Sequence, residues 1–243
     1  MALDTSLLSL DDLASLSQYV PTEEEAVRLK KFQGTGHPAG LGIAERFFLQ
    51  VLSVPRYESR LQVLSCLMSF EDRVAELSSS LRTLHLCLKE LRGSKGLHEV
   101  LENILAVGNY MNAGTSLGNA AGFRMEGLEQ AASTRSSVDA AASLLTLIVH
   151  SLASHSPAAL SFPEELTHLE AGARLSLESL RESAAALTHD LAQVEQEVGL
   201  AAAGDPMKEA LADFTPRAKA SLALLLSHLH QVEGLWETVR RFY

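Results

Sequence analysis

Cysteine, tryptophan and long apolar runs are all scarce in this chain of 243 residues. The two cysteines, Cys66 and Cys87, cannot build the disulfide scaffold of a small secreted domain and fit a reduced, cytosolic chain. No apolar run approaches the roughly 18 uncharged residues that a membrane-spanning helix needs, so the sequence predicts no membrane insertion. The first residues carry acids and no cleavage site, which excludes a signal peptide.

Positive charge is also in short supply. The chain has 20 Lys and Arg against 30 Asp and Glu, a formal net charge of −10. Domains that bind nucleic acid usually carry a basic face, so the balance argues against a nucleic-acid partner. Apolar residues make up 47% of the sequence, which is enough for a sizeable buried core in one large domain or two small ones.

Motifs for metals, cofactors and catalysis are missing or out of context. No Cys-x-x-Cys occurs, no His-x-x-x-His pair shares a helical face, and no glycine-rich phosphate loop is present. Gly114–Gly118 has the letters of the nucleophile elbow G-x-S-x-G, but that motif follows a strand, and the preceding residues have a helical pattern. The sequence therefore predicts a flexible loop there, with no metal, no cofactor and no enzymatic activity.

Prolines are absent between Pro55 and Pro157, and within that span apolar residues recur every three or four positions. That period is helical, and aromatic residues are only 5% of the chain, so we predict an all-α fold. Thr22 and Glu25 have the spacing of a capping box that begins one helix. Further helices are predicted at about 41–52, 57–68, 70–92, 97–111 and 136–154.

The last third of the chain has two heptad-like apolar seams. One runs from residue 166 to 198 and the other from 207 to 239, separated by Gly199 and by Gly204–Pro206. Two such helices around a short turn predict a long antiparallel coiled-coil hairpin, a structural arm that Pro216 should bend. A helix over 166–198 would be about 50 Å long, so we expect an elongated outline.

The most informative motif is the helix end Gly108-Asn-Tyr-Met-Asn112, followed by Gly122-Phe123-Arg124. Two asparagines at a helix C-terminus can bond local backbone groups. The spacing alone leaves two interpretations open. The segment is either a helix exit whose loop packs back through Phe123, or a pocket that docks a partner.

Several motifs together resemble the actin-binding formin homology domain. The family's L-P-T-x-E-E corresponds to Val20–Glu25, and its long G-N-Y-x-N element with the later G-F-[KR] corresponds to Gly108–Asn112 and Gly122–Arg124. The other matching segments are Ala44–Phe48, Val54–Arg56, Arg60–Leu61, Phe70–Val74 and Ser133–Ser136. The resemblance covers about residues 8–155 in register, and the heptad hairpin then resembles the family's coiled-coil section.

The resemblance implies a non-enzymatic, cytoplasmic, cytoskeleton-associated protein whose partner is actin. The family's domain is a head-to-tail dimeric ring that nucleates actin filaments and remains on the growing barbed end. In it, an N-terminal segment called the lasso encircles the post of the other subunit. By this resemblance, residues 1–96 would be knob-side helices, 97–160 the post and 161–243 the coiled-coil hairpin of one domain. The implied post residues for dimerisation are Gly108, Asn109, Tyr110, Asn112, Gly122 and Phe123.

The same comparison implies some departures. The lasso, the linker and the first part of the knob have no counterpart, so we expect this chain to be monomeric or weakly associated, with weak actin activity. Ser116 and Leu117 stand where the family often carries basic residues, which leaves Arg124 and Arg135 as the candidate actin contacts. The alternative hypothesis is a helical scaffold or dimerisation platform that has largely lost its actin activity.

Overall fold

The fold is all-α, as predicted. The computed structural model describes residues 8–35, 41–135 and 142–243. Within those ranges the only extended pairing is one isolated antiparallel bridge between Arg135 and Ser143. The same ranges contain no helix long and apolar enough to cross a membrane.

The helices are numbered in chain order. Their bounds are α1 Leu10–Gln18, α2 Glu23–Thr35, α3 Ile43–Ser53, α4 Tyr57–Gly93, α5 Lys95–Met111, α6 Gly127–Ser133, α7 Leu144–His155, α8 Phe162–Glu165, α9 Leu169–Gly172, α10 Leu177–Leu200 and α11 Pro206–Phe242. A short 3-10 helix, Pro157–Ser161, lies between α7 and α8.

The capping box that the sequence predicts at the start of α2 is present. The backbone N–H of Thr22 donates to the Glu25 carboxylate at 2.8 Å, and the Glu25 N–H donates to the Thr22 hydroxyl at 3.3 Å. These bonds lower the pKa of Glu25, with the backbone bond from Thr22 as the largest cause. Two of the N–H groups that a helix start leaves unbonded are thereby satisfied.

The chain forms two compact units. The first contains residues up to Ser78 together with Arg181–Ser227, and the second contains Ser79–Leu180 and His228–Tyr243. Helices α4, α10 and α11 contribute residues to both units. The division into knob, post and coiled coil that the resemblance implies remains a prediction.

In the first unit, the helical hairpin packs against α4. Phe70 of α4 is fully buried and meets Phe214 of α11 edge to face, with ring centroids 5.5 Å apart. Arg73 of α4 donates to Asp190 of α10 at 2.6 Å. The seams of the hairpin are therefore buried partly against α4, in addition to any packing between the two helices.

A buried carboxylate ties the hairpin turn to the start of α4. Glu197 is 1% exposed and accepts from the Nε and Nη2 of Arg56 at 2.9 Å each. Arg60 lies 3.2 Å from the same carboxylate and also donates to Asp205. Arg56 adopts a left-handed backbone with φ of 53°, a strained conformation for a non-glycine residue that this ion cluster helps to hold.

In the second unit, a small core supports the region around the motif. Ile104 of α5 packs with Ile148 and Leu152 of α7 and with Ala159 of the 3-10 helix. Ser94 is the N-cap of α5, and its side-chain oxygen accepts a hydrogen bond from the Leu97 N–H at 3.1 Å. This core holds α5 in place, and the motif lies at the C-terminal end of this packed helix.

Three predicted helix boundaries are wrong. The segments 57–68 and 70–92 form the single helix α4, because Ser69 between them is neither proline nor glycine and remains helical, with its hydroxyl donating to the Ser65 carbonyl. Within the described part of 136–154, the helix begins only at Leu144, where Ser143 caps it, and residues 136–141 lie outside the described ranges.

The first seam is also not helical from residue 166. Short helices α8 and α9 occupy that region, and α10 begins at Leu177. Gly172, the last residue of α9, packs so closely on Cys87 that an added Cβ would lie 2.6 Å from the cysteine sulfur. The second helix α11 continues through Pro216, and the predicted bend there remains a prediction.

Candidate partner-docking site

Helix α5 places the Gly-Asn-Tyr-Met-Asn motif in its last turn. Asn112 ends the helix, and its backbone N–H donates to the Gly108 carbonyl at 3.0 Å. The chain then turns through Gly114, whose φ of 80° is left-handed and therefore favours glycine. The motif thus forms a helix exit, as the first of our two interpretations expected.

Asn109 holds the loop that follows. Its side-chain amide donates to the Ala120 carbonyl at 2.9 Å, and its side-chain oxygen accepts from the Ala120 N–H at 2.7 Å. The Asn109 side chain thereby pairs both the N–H and the carbonyl of Ala120, which lies eleven positions later in the chain. Gly118 adds to this closure, because an added Cβ there would lie 2.6 Å from the Asn112 carbonyl oxygen.

A cavity of about 450 Å³ opens between this loop, the end of α5 and helix α6. Five residues predicted from the motif line it: Gly108, Asn109, Asn112, Gly122 and Phe123. The remaining lining residues are Ile104, Leu105, Met111, Leu117, Ala120, Gly127, Gln130, Ala131, Thr134 and Leu144. Most of these side chains are apolar, and Asn109, Asn112, Gln130 and Thr134 are the polar ones among them.

Large apolar side chains stand exposed around this cavity, which we call the motif cavity. Leu117 is 70% exposed and Met111 is 55% exposed, and both also line it. Tyr110 is 83% exposed and does not line the cavity. Exposed apolar side chains at a concave site are typical of a surface that another chain covers.

The two candidate actin contacts lie outside the motif cavity. Arg124 and Arg135 are both exposed, and neither lines it. Arg124 lines a second groove with residues near the C-terminal end of α11. Arg135 makes the isolated bridge to Ser143 just before α7. The second groove could not be predicted from the sequence, because its two sides are more than a hundred residues apart in the chain.

Comparison with known proteins bears directly on this arrangement. The family model described as Formin Homology 2 Domain matches residues 1–243. The chain belongs to the formin homology 2 family. The resemblance drawn from the sequence motifs is therefore confirmed.

Curated relatives of this formin homology 2 chain cover it almost end to end. Formin-like protein 18 of Arabidopsis thaliana is 35% identical over 239 residues, which is 98% of this chain and 20% of the relative. Formin-like protein 3 of Oryza sativa subsp. japonica is 35% identical over 247 residues, covering 100% of this chain and 20% of the relative. Formin-like protein 21b of Arabidopsis thaliana is 32% identical over 247 residues, which is 60% of its length. The chain thus spans a fifth of the first two relatives.

Proposed function

We propose that this formin homology 2 chain binds actin and takes part in filament nucleation and barbed-end elongation, without being an enzyme. The observation that carries the proposal is the match of the formin homology 2 model over the whole of residues 1–243. The formin-like relatives support it, since they align over nearly the full chain. A protein with this function would work in the cytoplasm, in association with the cytoskeleton.

The motif cavity is proposed as the dimerisation site, where an extended segment of a second subunit docks. Its lining is mostly apolar, and Asn112 offers amide groups that can pair with the backbone of an incoming chain. Asn109 is already committed to Ala120, so it shapes the site and contributes little free hydrogen-bonding capacity. Tyr110 would add an exposed aromatic surface beside the docked segment.

Arg124 and Arg135 are proposed as the actin contacts of this region. Both are exposed, and a guanidinium can bind a carboxylate with two parallel hydrogen bonds, which suits the acidic surface of actin. The loop between Asn112 and Phe123 carries no charged residue. With so few cations for electrostatic steering, we expect slow association with the filament and weak nucleation.

The same uncharged loop favours a second candidate function. A helical scaffold would keep the motif cavity for self-association and would not need cations, and Leu117 is exposed where the family often carries basic residues. In that case the protein would self-associate and leave actin assembly unchanged. The two functions differ in one measurable property, which is the effect on filament growth.

Seeded actin assembly with monomer added at barbed ends tests the proposal. We expect the protein to change the elongation rate in a dose-dependent way, and to lose the effect when an excess of a barbed-end capping protein is present. A stable self-associating protein that leaves elongation unchanged at all concentrations would refute the proposal in favour of the scaffold.

Sedimentation equilibrium tests the docking site separately. In a full-length domain that includes the lasso, Asn112→Ala should weaken self-association, with little change in thermal stability, because no hydrogen bond of the Asn112 side chain is found within the described residues. Ser116→Ala is a matched control, since it changes an exposed residue of the same loop that does not line the motif cavity. Equal self-association of both variants would contradict the docking assignment.

A further inference from the structure

The second unit carries another concave surface, which we call the C-terminal groove. It has a volume of about 840 Å³, and its lining includes Arg124, Met125, Glu126, Trp236, Arg240 and Tyr243. Within the described part of the chain it shares no lining residue with the motif cavity. The dimerisation that we propose at the motif cavity therefore does not involve this groove.

Trp236 breaks the burial pattern of its own helix. The apolar seam of α11 runs from Met207 to Val239, and its other positions are buried, including Val232 at 0% and Val239 at 7% exposure. Trp236 occupies a seam position and is 39% exposed. Met125 is 42% exposed in the same groove. A large aromatic residue with an open face is a common anchor point for a partner side chain.

Two arginines line the groove alongside one acidic residue. Two guanidinium groups, those of Arg124 and Arg240, line the groove together with one carboxylate, that of Glu126, whereas the chain as a whole has a formal net charge of −10. Arg240 pairs with Glu237 at 2.9 Å, and both side chains are well exposed, so the pair is worth little and is easily exchanged. No acidic partner of Arg124 occurs among the described residues.

The floor of the groove is held in place. The hydroxyl of Tyr243 donates to the Leu91 carbonyl of α4 at 2.7 Å, and the ring of Phe242 lies 4.7 Å from that of His98 on α5. Val239, which also lines the groove, is buried. A groove that is already formed loses less conformational entropy when a ligand binds.

We propose that the C-terminal groove binds an acidic peptide segment of a partner protein. One apolar side chain of the peptide would pack on Trp236 and Met125, and flanking carboxylates would pair with Arg124 and Arg240. The argument rests on charge complementarity and on the exposed aromatic anchor, and it does not depend on the proposed action at filament ends. Arg124 serves both proposals, so the tests below change other residues.

Trp236 is the only tryptophan of the chain, so its fluorescence reports directly on the groove. The probe is a short synthetic peptide in which glutamates flank a central pair of leucines, without tryptophan or tyrosine. We expect titration with this peptide to shift the Trp236 emission to the blue in a saturable way, and added salt to weaken binding. A peptide with lysines in place of the glutamates should give no shift.

Arg240→Glu should weaken binding of the acidic peptide by about tenfold or more, measured by anisotropy of a labelled peptide. Arg174→Glu is the matched control, because Arg174 is also well exposed and also pairs with an acidic neighbour, Glu170. Met125→Glu is a second groove variant that should also weaken binding. Circular dichroism of each variant verifies that helicity is retained.

Several results would overturn the proposal. One is the absence of a saturable emission change with the acidic peptide, and another is equal binding of the lysine peptide. A blue shift that follows the concentration of the protein itself and disappears in Arg240→Glu would identify a second copy as the occupant instead. A shift with vesicles of anionic lipid but not with the peptide would identify a membrane surface instead.

Discussion

Replacing Asn109 with alanine should release the loop that follows α5 without unfolding the domain. The side chain makes two hydrogen bonds to the backbone of Ala120, at 2.9 and 2.7 Å, and alanine can make neither. The bonds lie near the surface, so water can replace them after the substitution. The loss should therefore appear as local opening of the loop, with the helices intact.

The size of the effect follows from the number of bonds. A typical intramolecular hydrogen bond contributes about 0.5–1.5 kcal/mol, and two bonds at an accessible site give about 1–2 kcal/mol. That free energy corresponds to a change of about 5- to 30-fold in the population of the open loop. The Ala120 amide, which Asn109 protects directly, should exchange with solvent faster by the same factor.

Amide hydrogen exchange measures this opening residue by residue. Asn112→Ala is the matched control, because Asn112 lies three positions further on and its side chain does not bond the loop within the described residues. In the Asn112→Ala variant, the Ala120 amide should exchange with solvent at the same rate as in the unchanged protein. If both variants accelerate exchange equally, or if neither does, the assignment of Asn109 as the residue that closes the loop is wrong.

Three further outcomes are expected. Gly172→Ala should destabilise the fold by about 1–3 kcal/mol in chemical denaturation, because the added Cβ would clash with Cys87. The control Gly199→Ala, whose added Cβ has no described atom within 4 Å, should stabilise α10 slightly. Equal changes in the free energy of unfolding would contradict the packing at Gly172. Glu197→Gln should cost about 3 kcal/mol in urea denaturation, since it removes the buried charge between two arginines, and an unchanged midpoint would contradict this. Burial raises the pKa of the Cys66 thiol from 9.0 to about 11, so the folded protein holds this proton more tightly than the unfolded chain, and the free energy of unfolding should decrease as the pH rises from 9 toward 11. In the folded protein at pH 8 the thiol should be almost fully protonated and should resist alkylation, and fast labelling would refute this.

Much of the fold could be predicted because it depends on local patterns. The capping box at Thr22 and Glu25 and the seam of α11 need only residues close together in sequence, and both are present. The close packing of Gly172 on Cys87 could not be predicted, because it is a contact between two segments that are distant in the sequence. The packing of Phe70 on Phe214 is likewise a contact between distant segments.

The candidate site shows the same limit. The motif residues could be selected from the sequence because two asparagines and several glycines at a helix end are unusual. The different roles of the two asparagines could not be predicted from the sequence. Asn109 bonds to Ala120 across the loop, whereas Asn112 lines the motif cavity. The periodicity of the seam from 207 to 239 includes Trp236 and predicts that it is buried, whereas the structure shows it partly exposed in the groove that Arg124 also lines.

Growth of single actin filaments, observed by fluorescence microscopy, tests the central claim most directly. We predict that the protein changes the elongation rate at barbed ends and that the double variant Arg124→Glu with Arg135→Glu does not, although its helicity is unchanged. The control double variant Arg174→Glu with Arg217→Glu, which reverses two other exposed arginines, should act like the unchanged protein. Elongation that the protein leaves unaltered, or that both double variants alter equally, would contradict the account.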